Sequence, residues 1–581
     1  MKSLFSEKSK AIRGAIIGLS LFAIIATVVP YLVVRIQAGD KWTGITPSLS
    51  HDALRYFSRA NDVTRGNAHP HNPYFIEHRE TPSPTPSWND AIVALPQVLG
   101  LSFNAAYYVN IFFWGILFLF TFFAALRQHR TSIMIATLGA CFVYVGEYGD
   151  MLRPGAMQIV YPLYALFLIF FYRFIEGQPR SALLLGFISG FFAYFYIYLF
   201  MTAFSVMGVF ALHSVLRRDW KAMQKTLLAI GMGILVALPH IVHVMNISTL
   251  SFYKETMTRI VFLPSRWPQI EAYYYGRWVV IGMLIVFLMR RYFPEYLSRA
   301  SALFFQCTGL GIIIAMVSNI ALGQDFDIAV HVGRFGVVWY LLLGVVLSYP
   351  IVHMLRKERG LLQKKALIIV LSGLLVLQMM LNIPRAIPIF YFTTEEVREV
   401  QEYAGVIEWL RRKPEAVVLA PEKLMAYIPT LTRQYVLYAN HAALFLLDDV
   451  ELNERLLLSH AFDNWGSEEF VERSQGHYGP VPDLLAKTSR LRHKMCLFFR
   501  SDALCPAPKT IWDFVDTASL QTQFDEYYPS LVKNFEQEYK KYHVRYIVHP
   551  TEKMLPKEVS DVCTRAYQDE SYSACTLSAS L

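Results

Sequence analysis

Apolar residues along this chain gather into runs long enough to cross a bilayer, which takes about 20 residues in a helix. The runs lie at roughly 12–36, 103–126, 132–147, 156–175, 181–197, 199–215, 226–243, 278–290, 300–321, 335–354 and 366–382, which predicts about eleven spans. The stretch 181–215 is divided because Gly186 and Gly190 lie in its first half and Tyr196 and Tyr198 mark a polar belt near its middle. Lys2, Lys8, Lys10 and Arg13 precede the first run, which is too long for a cleaved signal and reads as a retained anchor.

The linkers alternate in character. Short, basic ones carry Arg127 and Arg130; Arg173 and Arg180; Arg217, Arg218, Lys221 and Lys225; Arg290, Arg291 and Arg299; and Arg356, Lys357, Arg359, Lys364 and Lys365. Lys and Arg mark the cytoplasmic side, so the N-terminus is expected inside, and an odd number of spans puts the C-terminus outside. The outer linkers are then 38–90, 147–155, 244–277 and 322–334. In 52–65, Ala53, Tyr56, Phe57, Ala60 and Val63 form a helical stripe, which predicts a helix lying at the outer interface.

Past the last run the pattern changes. Residues 395–581 hold no spanning run. TEEVREVQEYAGVIEWLRR (394–412) has helical spacing and a helix-start signal. AVVLAP (416–421), YVLYA (435–439) and VRYIVHP (544–550) read as strands, with helical stretches near 450–460, 467–473 and 526–541. The fold class is therefore a polytopic α-helical membrane protein with a C-terminal α/β soluble domain. The expected division is 1–390 for the transmembrane domain, including the 38–90 loop, and 391–581 for the extracytoplasmic one.

Composition agrees: 54% of the 581 residues are hydrophobic and 17% charged, where soluble domains have about 25% charged. The basic linkers account for the net charge of +9, so no nucleic-acid partner is needed. Four of the six cysteines, Cys496, Cys505, Cys563 and Cys575, lie in the C-terminal region. Three pairings are open; Cys496–Cys505 with Cys563–Cys575 is the simplest. Zinc lacks the C-x-x-C spacing it favours.

Ionisable groups near a membrane are the informative ones. The outer linkers carry Asp52, then Glu147, Asp150 and Arg153, then Lys254 and Arg259, then His331 and Arg334. Each has a plainer reading: His51 and Asp52 as a helix cap, the 147–153 group as an interfacial salt bridge, Arg334 as a snorkelling side chain. Together they offer acids for proton transfer and cations for a phosphate, which suits attack of an acceptor on a sugar carbon with a lipid phosphate leaving. No G-x-x-x-x-G-K-[ST], G-x-G-x-x-G or G-x-S-x-G string is present, so a pre-activated donor is required.

The stretch from Asp52 through Gly66, then Asn72-Pro73-Tyr74 and Glu77-His78-Arg79 leading to a Trp, resembles membrane glycosyltransferases of the GT-C superfold. The layout of spans with an outer C-terminal domain, and LAPEKLMAYIPTLTRQYVLYANH (419–441), extend the likeness. The resemblance implies a bacterial inner-membrane enzyme that moves a hexose or pentose, with inversion, from a polyprenyl-phosphate donor to a glycan, lipid or protein acceptor. It implies Asp52 as general base, Asp150 or Glu147 assisting, and Arg334 or His331 on the donor phosphate. Arg153, Arg259 and Lys254 are further phosphate candidates, and His51, Tyr56, Glu77 and His78 are acceptor or sugar candidates. A divalent metal is used by some members and is not favoured here, because the acids are not closely spaced. FDNWG (462–466) is not the W-W-D-Y-G-type motif of oligosaccharyltransferases, and Asp52-Ala53 is not the Asp-Glu pair of protein mannosyltransferases. The competing readings are a polysaccharide polymerase or O-antigen ligase, a transporter of lipid-linked sugar, and a scaffold.

Overall fold

The structure is a computed structural model that describes residues 2–48, 52–67, 71–85, 88–260, 262–357, 373, 393–479, 481–499 and 505–577. The protein is a polytopic, mostly helical membrane protein with a C-terminal region built on a small sheet. Among the described residues eight helices are long and apolar enough to span: Ser9–Lys41, Phe103–Gln128, Met157–Ile175, Ile197–Leu216, Trp220–Ile247, Ile270–Tyr292, Arg299–Met316 and Ile328–Ser348. Two shorter apolar helices, Ile133–Gly146 and Ser181–Tyr194, occupy two further runs. The run 366–382 lies outside the described residues.

The chain forms two compact units. The first comprises Met1–Val33, Tyr107–His243 and Ser265–Tyr391, and the second Val34–Ala106, Val244–Pro264 and Phe392–Leu581. The long linkers after the first span and after residue 243 thus group with the C-terminal region.

In the first unit, close helix packing follows from small residues. A Cβ on Gly186 or Gly190 would lie 2.3 Å from the Ala229 carbonyl oxygen or 2.2 Å from that of Gly233, so glycine lets these backbones touch. The stretch 181–215 does break: a 3₁₀ turn at Phe192–Tyr194 ends the first helix, and extended Tyr196 precedes the next. Arg130, Arg180 and Arg218 take left-handed backbone conformations in the short basic turns. Two of the helices that begin earlier than their hydropathy runs bear on the candidate site. Ile270–Tyr292 carries Tyr273, Tyr274, Tyr275 and Arg277 on its first turns, and Ile328–Lys357 puts Arg334 nearly two turns inside the helix. Polar residues hid both starts, because a hydropathy run ends where side chains change, not where backbone bonding does.

The second unit is layered α/β. Its five-stranded sheet runs in space Tyr435–Val436, Val417–Leu419, Val544–Pro550, Tyr572–Leu577, Cys563–Gln568. The first three are parallel and the last two antiparallel. The sequence pattern does not announce the last two strands: half of Cys563–Gln568 is polar, and Tyr572–Leu577 is short and carries small residues. Cys563–Cys575 joins them, and Cys496–Cys505 forms the second disulfide. The helix expected at 394–412 appears as Thr394–Glu402 and Ala404–Arg411, opened by a capping box between Thr393 and Glu396.

The amphipathic helix forms at Ala53–Thr64. Its stripe is covered by protein rather than left for a membrane surface: Ala53, Phe57 and Ala60 are buried. Asn61 Nδ2 donates to the carbonyls of Pro429 (2.8 Å) and Thr432 (2.7 Å), and Thr430 Oγ1 donates to Leu54 O at 3.2 Å. Farther along the same loop, Arg455 is fully buried between the rings of Phe75 and Tyr542, at 4.1 and 4.0 Å. It pairs with Glu77 Oε2 and Glu451 Oε1, both at 2.8 Å. Removing one partner of a buried ion pair strands the other charge. Arg455→Ala is therefore expected to destabilise the protein by about 3–5 kcal/mol, read as a lowered apparent melting temperature in detergent; an unchanged melting temperature would refute this role.

Candidate functional site

The helices of the first unit meet at one end through the turn 147–156, the break at 195–196 and the linkers before Ile270 and Ile328. The 147–156 turn is pinned by three hydrogen bonds. Tyr148 OH donates to Ala26 O (2.7 Å), Tyr107 OH to Leu152 O (2.9 Å), and Gln158 Nε2 to Met151 O (2.5 Å). A pinned turn holds its acids in fixed positions.

Two of those acids share one phenol. Tyr161 OH lies 2.5 Å from Glu147 Oε2 and 2.9 Å from Asp150 Oδ2. Burial, then the nearby Asp150 charge, push the Glu147 carboxyl up to about 8, which favours its protonated form at neutral pH, against the opposing pull of Tyr161 and Arg334. Arg334 Nη1 lies 3.6 Å from Asp150 Oδ2. Half-buried Arg153 completes the cationic side; burial and then Arg334 push its guanidinium down to about 10.

His331, one turn before Arg334, is framed by the helix break. Tyr196 OH hydrogen-bonds its Nδ1. The Tyr198 ring stacks on it at 4.2 Å, while Tyr198 OH donates to Phe326 O. Its Nε2 faces Asp327 Oδ2 at 3.4 Å. Asp327 is pushed up to about 7 by burial and then by Asp325 and Glu271. Burial likewise pushes Asp325 up to about 6, and Gln269 Nε2 donates to it at 3.0 Å. Gly333 makes room for Tyr275, since a Cβ there would lie 2.3 Å from the ring.

Of the residues singled out in the sequence, the structure thus gathers Glu147, Asp150, Arg153, His331 and Arg334 in the first unit. Tyr161, Tyr196, Tyr198 and Asp327 join them and were not anticipated. The signal for Tyr161 was a hydroxyl inside an apolar run, which needs a polar partner, but it is one tyrosine among 34. Tyr196 and Tyr198, the pair that marks a belt in the sequence, bind His331 and the Phe326 carbonyl through their hydroxyls.

The other candidates belong to the second unit. Asp52 is half-buried at the N-cap position of Ala53–Thr64, and its side chain makes no capping hydrogen bond. Tyr56 is half-buried on that helix, with the Arg55 guanidinium 5.7 Å from its ring. Glu77 is held by Arg455, and His78 Nε2 lies 3.0 Å from Glu451 Oε2. Arg259 is buried, donating to the carbonyls of Ala443, Phe445 and Leu447 and pairing with Asp449. Those contacts account for Glu77, His78 and Arg259 as ties within the fold. Lys254 is exposed. His51 lies outside the described residues. Among the described residues no group of three or more His, Cys, Asp or Glu side chains is arranged to hold a metal ion.

A protonated, buried Glu147 has a consequence for stability. Its folded-state value lies above the usual glutamic acid value of 4.5. The folded state therefore binds the extra proton, and stability falls as pH rises from about 4.5 to about 8. Glu147→Gln keeps a hydrogen-bond acceptor for Tyr161 without the titrating proton. The apparent melting temperature of the variant is expected to drop less than that of the parent between pH 5 and pH 8.5, and parallel drops would refute a protonated Glu147.

No protein-family model matches the chain, and no curated protein matches it. Among solved structures, the chain is similar to ArnT from Cupriavidus metallidurans bound to undecaprenyl phosphate, at 11% identity and a TM-score of 0.39, over 96% of this chain and 98% of that one. A likeness this distant says nothing by itself about chemistry.

Proposed function

We propose that the protein is an integral-membrane glycosyltransferase that takes a sugar from a polyprenyl-phosphate donor and passes it to an acceptor at the extracytoplasmic face. The observation that carries this reading is the carboxyl pair Glu147 and Asp150 on one phenol, set beside Arg334 and Arg153 at one end of an apolar helix bundle. Cations at a membrane edge are suited to a lipid phosphate, and Arg presents the fork that matches it. The Lys/Arg pattern of the opposite turns supports a cytoplasmic N-terminus, with the C-terminal domain outside and the cluster facing outward. The resemblance of the Asp52–Arg79 stretch to GT-C enzymes supports the reaction class.

In this mechanism the acceptor hydroxyl or amide attacks the anomeric carbon and gives its proton to a carboxylate, the role that the resemblance to GT-C enzymes, and not a measured proximity, implies for Asp52. The bond from that carbon to the phosphate oxygen breaks, and its electron pair leaves with the polyprenyl phosphate. Arg334, with Arg153 and His331 beside it, stabilises the charge that grows on that oxygen. Asp150 holds Arg334 in place, and protonated Glu147 keeps the local negative charge to a single carboxylate. Attack from the face opposite the phosphate inverts the sugar carbon.

The test is release of free polyprenyl phosphate from a panel of polyprenyl-phosphate hexoses and pentoses by the full-length protein in nanodiscs. Glu147→Gln is expected to remain within about threefold of the parent, whereas Asp150→Asn, which releases the arginine, is expected to lose about 10²-fold in kcat/KM. Equal loss in both variants would contradict the division of labour.

A further inference from the structure

At the other end of the first unit, the helices Ile197–Leu216, Ile270–Tyr292 and Arg299–Met316 leave a cleft of about 740 Å³ between them. Leu212, Phe287 and Leu310 line it with apolar side chains that are 58%, 59% and 40% exposed. Its rim carries Arg217, Arg290, Arg291 and Arg299. Arg290 Nη1 donates to the carbonyls of Pro294 (3.0 Å) and Leu297 (3.2 Å), which fixes that side chain at the turn. No Asp or Glu is among the residues lining the cleft, although Asp219 and Glu295 lie in the adjacent turns. Among the described residues none of the four arginines pairs with a carboxylate.

We propose that this cleft is a binding site for one anionic phospholipid of the leaflet at the basic end, its phosphate on the arginine rim and an acyl chain along the apolar wall. Arginines at a membrane edge meet lipid headgroups in general. Here four of them, from the ends of three helices, converge above an apolar channel, and that convergence makes a pocket rather than a surface. The 20-residue helix Ile197–Leu216 is about 30 Å long. The site therefore lies a membrane thickness from the carboxyl–arginine cluster and does not depend on the reaction proposed there.

Delipidated full-length protein in detergent is titrated with dioleoylphosphatidylglycerol or dioleoylphosphatidylcholine, and bound lipid is counted by native mass spectrometry. Phosphatidylglycerol is expected to bind at least tenfold more tightly. Basic residues near a membrane surface contribute about fivefold each, so the triple variant R290Q/R291Q/R299Q is expected to lose most of a hundredfold. Leu303→Trp fills the channel with every arginine kept and is expected to lower phosphatidylglycerol binding as well; it decides the matter if the triple variant does not fold. The control triple R127Q/R130Q/R180Q, drawn from the other basic turns, is expected to bind like the parent. The proposal is overturned by equal binding of the two lipids, by equal loss in the control, by full binding in Leu303→Trp, or by displacement with millimolar inorganic phosphate, which would mark a free-anion site.

Discussion

Arg334→Gln is expected to lower kcat/KM for a polyprenyl-phosphate sugar by about 10²–10³-fold, the usual effect of removing a donor aimed at developing charge. Two effects add in the same direction. The leaving phosphate loses a forked cation, and Asp150, 3.6 Å from Arg334, loses its partner beside the Glu147 carboxyl. Arg334→Lys keeps the charge but not the fork, so it is expected to recover part of the loss, chiefly through KM. Single-turnover rates with the three proteins check this. A glutamine variant that turns over at the parent rate would remove Arg334 from the chemistry.

Asp52→Asn is expected to lower kcat by about 10²–10⁴-fold, the range for loss of a general base, with donor affinity unchanged. The substitution is nearly isosteric, and an unchanged melting temperature separates a chemical defect from a structural one. Full turnover in a folded variant would assign the base to another group. Raising the pH should not rescue the Asp52→Asn variant, because an amide has no proton to lose.

The membrane part of the fold was legible because a bilayer demands long apolar helices, and the eight spans coincide with eight of the expected runs. Breaks and starts were less so. Gly186, Gly190 and the tyrosine pair revealed the break at 195–196, but polar first turns concealed the starts at Ile270 and Ile328. The tail strand Cys563–Gln568 was hidden for a related reason: a strand largely open to water carries little hydropathy signal. In the candidate site, charged residues next to spans announced themselves, since ionisable groups there are expensive. Tyr161 did not, because the partners that give it meaning lie 11 and 14 residues earlier and converge only on folding. Arg259 and His78 show the opposite failure. A polar side chain in an outer linker looks like a ligand-binding group until the fold supplies the Ala443 carbonyl or the Glu451 carboxylate.

Binding of polyprenyl phosphate itself, the product that the carboxyl–arginine cluster is proposed to hold, decides whether this end of the bundle is a donor site. Affinity is measured in nanodiscs for the parent, Arg334→Gln and Asp52→Asn. The parent and Asp52→Asn are expected to bind alike, and Arg334→Gln at least tenfold more weakly. Equal affinity in all three, or none in the parent, would contradict the proposed site.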